Sequence, residues 1–405
     1  MNILTLLLND LPNPNIGGPH RIAYELLKHA STSSHEFDTS FLSAKYFLSQ
    51  ENIRDLIVKG DMQEHERRKE HTVRHFIASL ANRSRFGLHA QAHYDRRRLI
   101  KKYRSIPLQP DIIHSHQLFA SAYIPPGSAA KILTTIHSKG SILFDTYRQS
   151  YPFIHSTAFE KYLLKLEYGG ISKSDCVVFP SHVAKQLFES DLPQVLDDKR
   201  VEIIYNGIDV DALQTGKNPR TTKPDVWRLL NVSAFVDEKR FDLTLDTLQE
   251  LLHRNRPVRL IHVGDGPRRQ DSLDMIRSRG LEQHVEHHDA LPHERVMALM
   301  RESDMFFLPS KRVVCDLVTL EAMATELPCV VSAEGGNLEL IRDGVDGMLC
   351  ASGDSRAYAS AIEQLIAHDD LRMTIAACAQ KKTSEMFTVH RMFEQYISLY
   401  REMCP

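Results

Sequence analysis

Residues 304–339 read DMFFLPSKRVVCDLVTLEAMATELPCVVSAEGGNLE. Met305-Phe306-Phe307-Leu308 is an apolar run too short for a buried helix and is stopped by Pro309, so it predicts a buried strand. A helix is expected from Leu317, with Leu317, Leu320, Glu321 and Ala324 on one face. Pro328 releases the chain into Cys329-Val330-Val331-Ser332, a second, β-branched strand. Gly335-Gly336 then offers a turn where backbone can approach a ligand closely. Strand, helix and strand in this order make the repeating unit of an open parallel sheet, which binds ligands beyond the carboxyl ends of its strands. Ser310, Glu321 and the Gly335-Gly336 turn all belong to that edge.

The same alternation extends both ways. NILTLLL (2–8) predicts a first strand, and Gly17-Gly18 a turn before a helix carrying Ile22, Leu26 and Leu27. Strand, glycine turn and helix N-terminus together suit an anion, bound by backbone N–H groups and the helix dipole. Phe37–Leu42 is a further strand candidate. PDIIHSHQ from Pro110 and KILTTIHS (131–138) are strands that place histidines, His137 among them, at their carboxyl ends. A helix over 155–168, the strand Cys176–Phe179 and a helix capped by Ser181 follow. The polar segment 213–226, with Gly216, Pro219 and Pro224, is a linker by composition. Beyond it, WRLLNVSAF (227–235), RLIHVGDGPRR (259–269) with its Gly264-Asp265-Gly266 turn, and VEHHDAL (285–291) alternate with helices. Helices near 355–367 and 370–386 precede a last one, RMFEQYISLYREM. The expectation is an α/β protein with parallel sheets covered on both faces.

A chain of 405 residues suits two domains, and 42% hydrophobic with 25% charged residues is ordinary for a globular protein. A net charge of −2 argues against a nucleic-acid binder. No apolar run is long enough to span a bilayer. MNILTLLLND lacks the basic start of a signal peptide and reads as a core strand. The six cysteines are scattered without metal-ligand spacing, which points to a reducing, cytoplasmic setting with no disulfide framework and no metal. Residues 59–104 differ from the rest. ERRKEHTVRHF and HYDRRRLIKKYRSI place Arg67, Arg68, Lys69, Arg74, Arg96, Arg97, Arg98, Lys101, Lys102 and Arg104 on expected helices. They read either as a basic insertion (about 55–105) resting on an anionic membrane surface or as a solvated helical insertion.

PS at 309–310, LVTLEAMA at 317–324, PCVVS at 328–332 and GGNLE at 335–339 together resemble the donor-site signature of the retaining, nucleotide-sugar-dependent family 4 glycosyltransferases, which have the GT-B fold. NGID at 206–209 and the glycine turn at Gly17-Gly18 are similar to segments of the same family. The resemblance implies two doubly wound Rossmann-like domains facing a central cleft. The first, 1–212, would bind the acceptor; the second, 225–385, would bind the nucleotide-sugar; a terminal helix, 386–405, would cross back to the first. It implies transfer of a sugar, with retention, from a UDP- or GDP-linked donor to a glycan or lipid-linked acceptor in bacterial surface polysaccharide or glycolipid synthesis. The enzyme would be cytoplasmic, at the inner face of the plasma membrane if the basic insertion rests there, and need no cofactor.

The resemblance also implies a site. Of the signature's two glutamates, the second matches Glu321, expected on the ribose hydroxyls, and the first falls on Val313. A loop arginine and lysine of the family fall on Ala234 and on Lys239, the latter a point charge for the diphosphate. Ser310 and the N–H groups around Val318 and Thr319 would face phosphate. Backbone near His288 to Ala290 would meet the base, Gly264-Gly266 and Gly335-Gly336 would keep the floor clear of side chains, and the Gly17-Gly18 loop would lie near the donor diphosphate and the acceptor. His137 would contact the sugar or acceptor phosphate, its alternative being a half-buried capping histidine. Asp316 is the acid nearest the place of the missing glutamate. Departures at Val313 and Ala234 keep two further readings open: a non-catalytic partner subunit of the same fold, and a nucleotide-sugar epimerase.

Overall fold

The computed structural model describes residues 1–8, 11–12, 19–32, 37–58, 85–147, 154–155, 157–214 and 224–405. These form two compact units, Met1–Tyr205 with Val389–Pro405, and Asn206–Thr388.

The first unit is built on strands β1 (Asn2–Leu6), β2 (Asp38–Leu42), β3 (Phe47–Leu48), β4 (Ile112–Ser115), β5 (Lys131–Thr135), β6 (Cys176–Phe179) and β7 (Arg200–Ile203). Their order is β3-β2-β1-β4-β5-β6-β7. All neighbours are parallel except the short β2–β3 pair. Every residue of β4 and β6 is buried, as expected where helices cover both faces. Leu4, Ile113, Phe119, Leu163 and their neighbours form the main core. Thr157 caps the helix Ala158–Lys173 through the Glu160 N–H, so that helix starts later and runs further than 155–168. Ser181 caps the next helix as expected, accepting from the Ala184 N–H at 3.0 Å.

The chain's last helix, Val389–Met403, belongs to this first unit. Tyr400 Oη lies 2.6 Å from Nδ1 of His114 on β4, and Tyr396 Oη 3.1 Å from Thr135 Oγ1 on β5. Arg85–Arg104 is helical and exposes Arg96, Arg97, Arg98, Lys101 and Arg104. The expected basic helix at 66–76 and the Gly17-Gly18 turn lie outside the described residues.

The second unit contains β8 (Trp227–Val232), β9 (Val258–Val263), β10 (Val285–His288), β11 (Met305–Leu308), β12 (Cys329–Ser332) and β13 (Met348–Cys350). The order is β10-β9-β8-β11-β12-β13 and every pair is parallel. Trp227, Leu245, Phe307, Tyr358 and Ile362 anchor its core. The NGID segment belongs to this unit and does not close the first, because Ile208 N–H donates to the Phe387 carbonyl at 2.9 Å. Backbone pairing, absent from a motif's letters, thus moves the boundary to Tyr205. Among the described residues no helix is long and apolar enough to cross a membrane.

Candidate functional site

In the second unit the strand order reverses between β8 and β11, and a crevice at such a switch point is where an open α/β sheet holds ligands. The loops leaving these two strands meet there. Lys311 N–H donates to the Glu238 carbonyl at 2.7 Å, and Lys239 Nζ lies 2.8 Å from Asp316 Oδ1. Asp316 Oδ2 is buried with no hydrogen-bond partner among the described residues. The acid and the cation expected at the site are therefore held together, and each is only about one-fifth exposed. Ala234, on the same loop, is exposed and leaves the lysine as that loop's expected phosphate contact.

The Leu317–Ala324 helix starts beside this pair. Its Thr319 and Leu320 N–H groups both donate to the Asp316 carbonyl, so the Thr319 amide expected to face phosphate is already engaged. The Leu317 and Val318 amides are the ones left at the helix tip. The hydroxyls of Ser310 and Thr319 are buried and have no hydrogen-bond partner among the described residues. Buried hydroxyls normally find a partner, and a bound oxyanion is a group that could accept from either. Glu321, 3% exposed, has Oε1 2.8 Å from Nε2 of His293, the first residue of the His293–Glu302 helix.

Val313 is 2% exposed, and its carbonyl accepts from the Gly336 N–H at 2.8 Å. Gly335 has φ +58°, and a Cβ there would fall 2.1 Å from the Val313 carbonyl oxygen. The Gly335-Gly336 turn is therefore pressed against the Val313–Val314 backbone, and this packing is what requires glycine. Gly264 is likewise constrained by protein, since its Cβ would meet the Ser233 carbonyl at 2.0 Å. Gly266 packs on Phe235 in the same manner. The close neighbour of each of these glycines is the adjoining loop's own backbone, which by itself requires the missing Cβ.

At the end of β10 the His288 carbonyl accepts from the Gly264 N–H at 3.0 Å, and the His288 ring pairs with Glu286 at 2.8 Å. That carbonyl is committed to the fold, so Asp289 and the exposed Ala290 are what the expected base-reading stretch offers. Behind it, buried His262 stacks on Phe235 at 4.2 Å, and burial lowers its pKa to about 3. Desolvation pushes the Cys315 thiol up to about 12, which keeps this neighbour of Asp316 a neutral thiol.

The first unit has its own switch point between β1 and β4, closed by the Leu8 N–H donating to Gln117 Oε1 at 2.6 Å. His116 and His137 follow β4 and β5, with His116 Nδ1 3.3 Å from His137 Nε2. His116 Nε2 and His137 Nδ1 are buried without partners among the described residues. Burial lowers His137 to about 3, and His116 falls well below the ordinary histidine range for the same reason. Both rings are neutral, able to donate or accept one hydrogen bond but carrying no charge. The loop after His137 is pinned by Glu167, which accepts from Ser141 Oγ at 2.6 Å and Ile142 N–H at 2.5 Å.

The sequence reading did not single out His293, His116 or Glu167. HSH at 114–116 signalled a histidine-rich strand end, but nothing local marks His293 as the partner of a glutamate 28 residues away.

The chain matches the family model described as Glycosyltransferase Family 4 over residues 16–212, and that described as Glycosyl transferases group 1 over 215–382. N-acetyl-alpha-D-glucosaminyl L-malate synthase of Bacillus anthracis is 27% identical over 305 residues, spanning 72% of this chain and 75% of that protein. Sucrose-phosphate synthase from Thermosynechococcus elongatus shares the fold with a TM-score of 0.69 at 16% identity, covering 99% of this chain and 98% of that one. HepE of Anabaena, solved in complex with UDP, does so with a TM-score of 0.67 at 18% identity, covering 99% and 100%. Two Rossmann-like units, each matched by its own family model, make this chain a family 4 glycosyltransferase with the GT-B fold.

Proposed function

We propose that the second unit binds a UDP-linked sugar and that the enzyme transfers the sugar, with retention, to a glycan or lipid-linked acceptor held by the first. The observation that carries this reading is the meeting, at the β8/β11 switch point, of the Lys239–Asp316 pair with the start of the Leu317–Ala324 helix. As the sugar bond breaks, the departing diphosphate gains charge, which Lys239 and the Leu317 and Val318 amides would stabilise. Glu321 would take the ribose hydroxyls, and backbone at Asp289–Ala290 the base edge. Asp316 is the acid nearest in sequence to Val313, where the resemblance puts the family's first glutamate. His137, neutral, would hydrogen-bond the acceptor or the sugar. The reading draws support from HepE, solved with UDP and with UDP-glucose.

The test is a panel of UDP-, GDP- and ADP-sugars, with product anomers assigned by NMR. Acceptors would include glycans, lipid-linked sugars and L-malate, the last for the relative named after it. Turnover with a UDP-sugar and an unchanged anomeric configuration is expected. Binding of no nucleotide-sugar would favour a non-catalytic partner subunit, a reading that Val313 and Ala234 keep in view. The exposed arginines and lysines of Arg85–Arg104 support work at an anionic inner membrane surface in polysaccharide or glycolipid synthesis. Salt-sensitive flotation with phosphatidylserine vesicles, absent with neutral ones, is the expected result.

A further inference from the structure

Glu321 and His293 reach each other from different parts of the sheet. Glu321 lies on the helix after β11, whereas His293 opens the helix that follows β10 by way of Asp289–Pro292. That path is the stretch proposed to face the base. The carboxylate is 3% exposed while the imidazole is 36% exposed, so the histidine forms the outer member of the pair. A carboxylate removed from water needs donors, and a glutamate left to rotate would lose side-chain entropy on gripping a ligand. The 2.8 Å contact from Nε2 to Oε1 meets both needs.

Resting on the reading that Glu321 takes the ribose hydroxyls, we propose that His293 is a positioning and specificity-determining residue of the nucleotide site. Its Nε2–H holds the Glu321 carboxylate in the orientation that accepts from the ribose, and ties the base-side loop to the sugar-side helix. A ribonucleotide is then told from one lacking the 2′ and 3′ hydroxyls by the two residues acting as a unit.

The experiment measures the affinity of UDP and of 2′,3′-dideoxy-UDP by calorimetry for the wild type, His293→Ala, His293→Gln, Glu321→Ala and the Ala/Ala double variant. Each alanine variant is expected to weaken UDP about ten-fold, as for loss of a charge-assisted hydrogen bond. The double variant should lose no more than either single one, and the dideoxy nucleotide should bind all proteins alike. His293→Gln, whose amide can donate, should recover part of the loss, and it carries the test if the alanine variant does not fold. Unchanged UDP affinity in His293→Ala beside a weakened Glu321→Ala overturns the role of His293 and leaves the nucleotide site standing. Equal weakening of both nucleotides by His293→Ala also overturns it, since the histidine would then only prop the loop. Full UDP affinity in Glu321→Ala removes the reading beneath the proposal.

Discussion

Val313 stands where the family carries an acidic residue, and its surroundings decide what restoring the acid would do. The side chain is 2% exposed, and the Gly335-Gly336 turn lies against its backbone. Val313→Glu would place a carboxylate at a buried position where the backbone already packs on the Gly335-Gly336 turn. The expected loss of stability is about 2–4 kcal/mol, typical of an uncompensated buried charge, with no gain in turnover. Denaturant unfolding and initial rates check this together; a variant that melts like the wild type and turns over faster would show that the side chain reaches the sugar. At this scale the sequence was informative only where a residue acts from a recognisable loop. Lys239, Glu321 and Asp316 stand out in sequence, yet the pairing of Lys239 with Asp316 does not, nor does His293 as the partner of Glu321. Side-chain contacts spanning 77 and 28 residues are set by which strands adjoin, and a one-dimensional pattern does not contain that adjacency.

Among the elements, the Ala158–Lys173 helix does more than cover the sheet. It carries Glu167, fully buried, as the acceptor for Ser141 and Ile142 in the loop that follows His137. Burial raises this carboxyl from the ordinary glutamate value to about 7, against the lowering effect of its hydrogen bonds. The folded protein thus binds a proton more tightly here than the unfolded chain does. The associated stability is full below the ordinary glutamate pKa and is lost as pH rises through about 7. Glu167→Gln keeps the shape without the titration, so the wild type should lose up to about 3 kcal/mol relative to this variant between pH 5 and pH 8. Buried neutral His114, His137 and His262 act with the opposite sign, weakening the fold as pH falls below the histidine range. They are common to both proteins and cancel in the comparison. Parallel unfolding curves at every pH would refute the assignment. The helix itself was legible from its apolar spacing and the strands from their β-branched runs. The clamp was not, because a buried glutamate looks in sequence like any other helix surface residue.

At the scale of the whole molecule, the second unit is inserted into the first, whose last element arrives only after Val389. The two parallel sheets were legible because strands buried on both faces leave near-continuous apolar runs. The boundary at Tyr205 was less so, being set by backbone pairing of Ile208 with Phe387. The returning helix buries Val389, Met392, Phe393, Tyr396, Ile397, Leu399 and Tyr400, and its two tyrosines bond His114 and Thr135 at the centre of the first sheet. Removing it would uncover that apolar face and leave His114 and Thr135 without these buried partners. Each large side chain withdrawn from burial forfeits about 1.5–3 kcal/mol, so the sum exceeds the whole stability of an ordinary domain. A chain ending at residue 388 should therefore lose the cooperative melting of its first unit. Residues 206–388 contain their entire sheet and core, and should fold alone and bind UDP with an affinity near that of the full chain. Calorimetric melting of the two fragments, with UDP titration of the second, separates the outcomes. A 1–388 chain that melts as the full protein does would mean that the tyrosine–histidine contacts are not what completes the first unit.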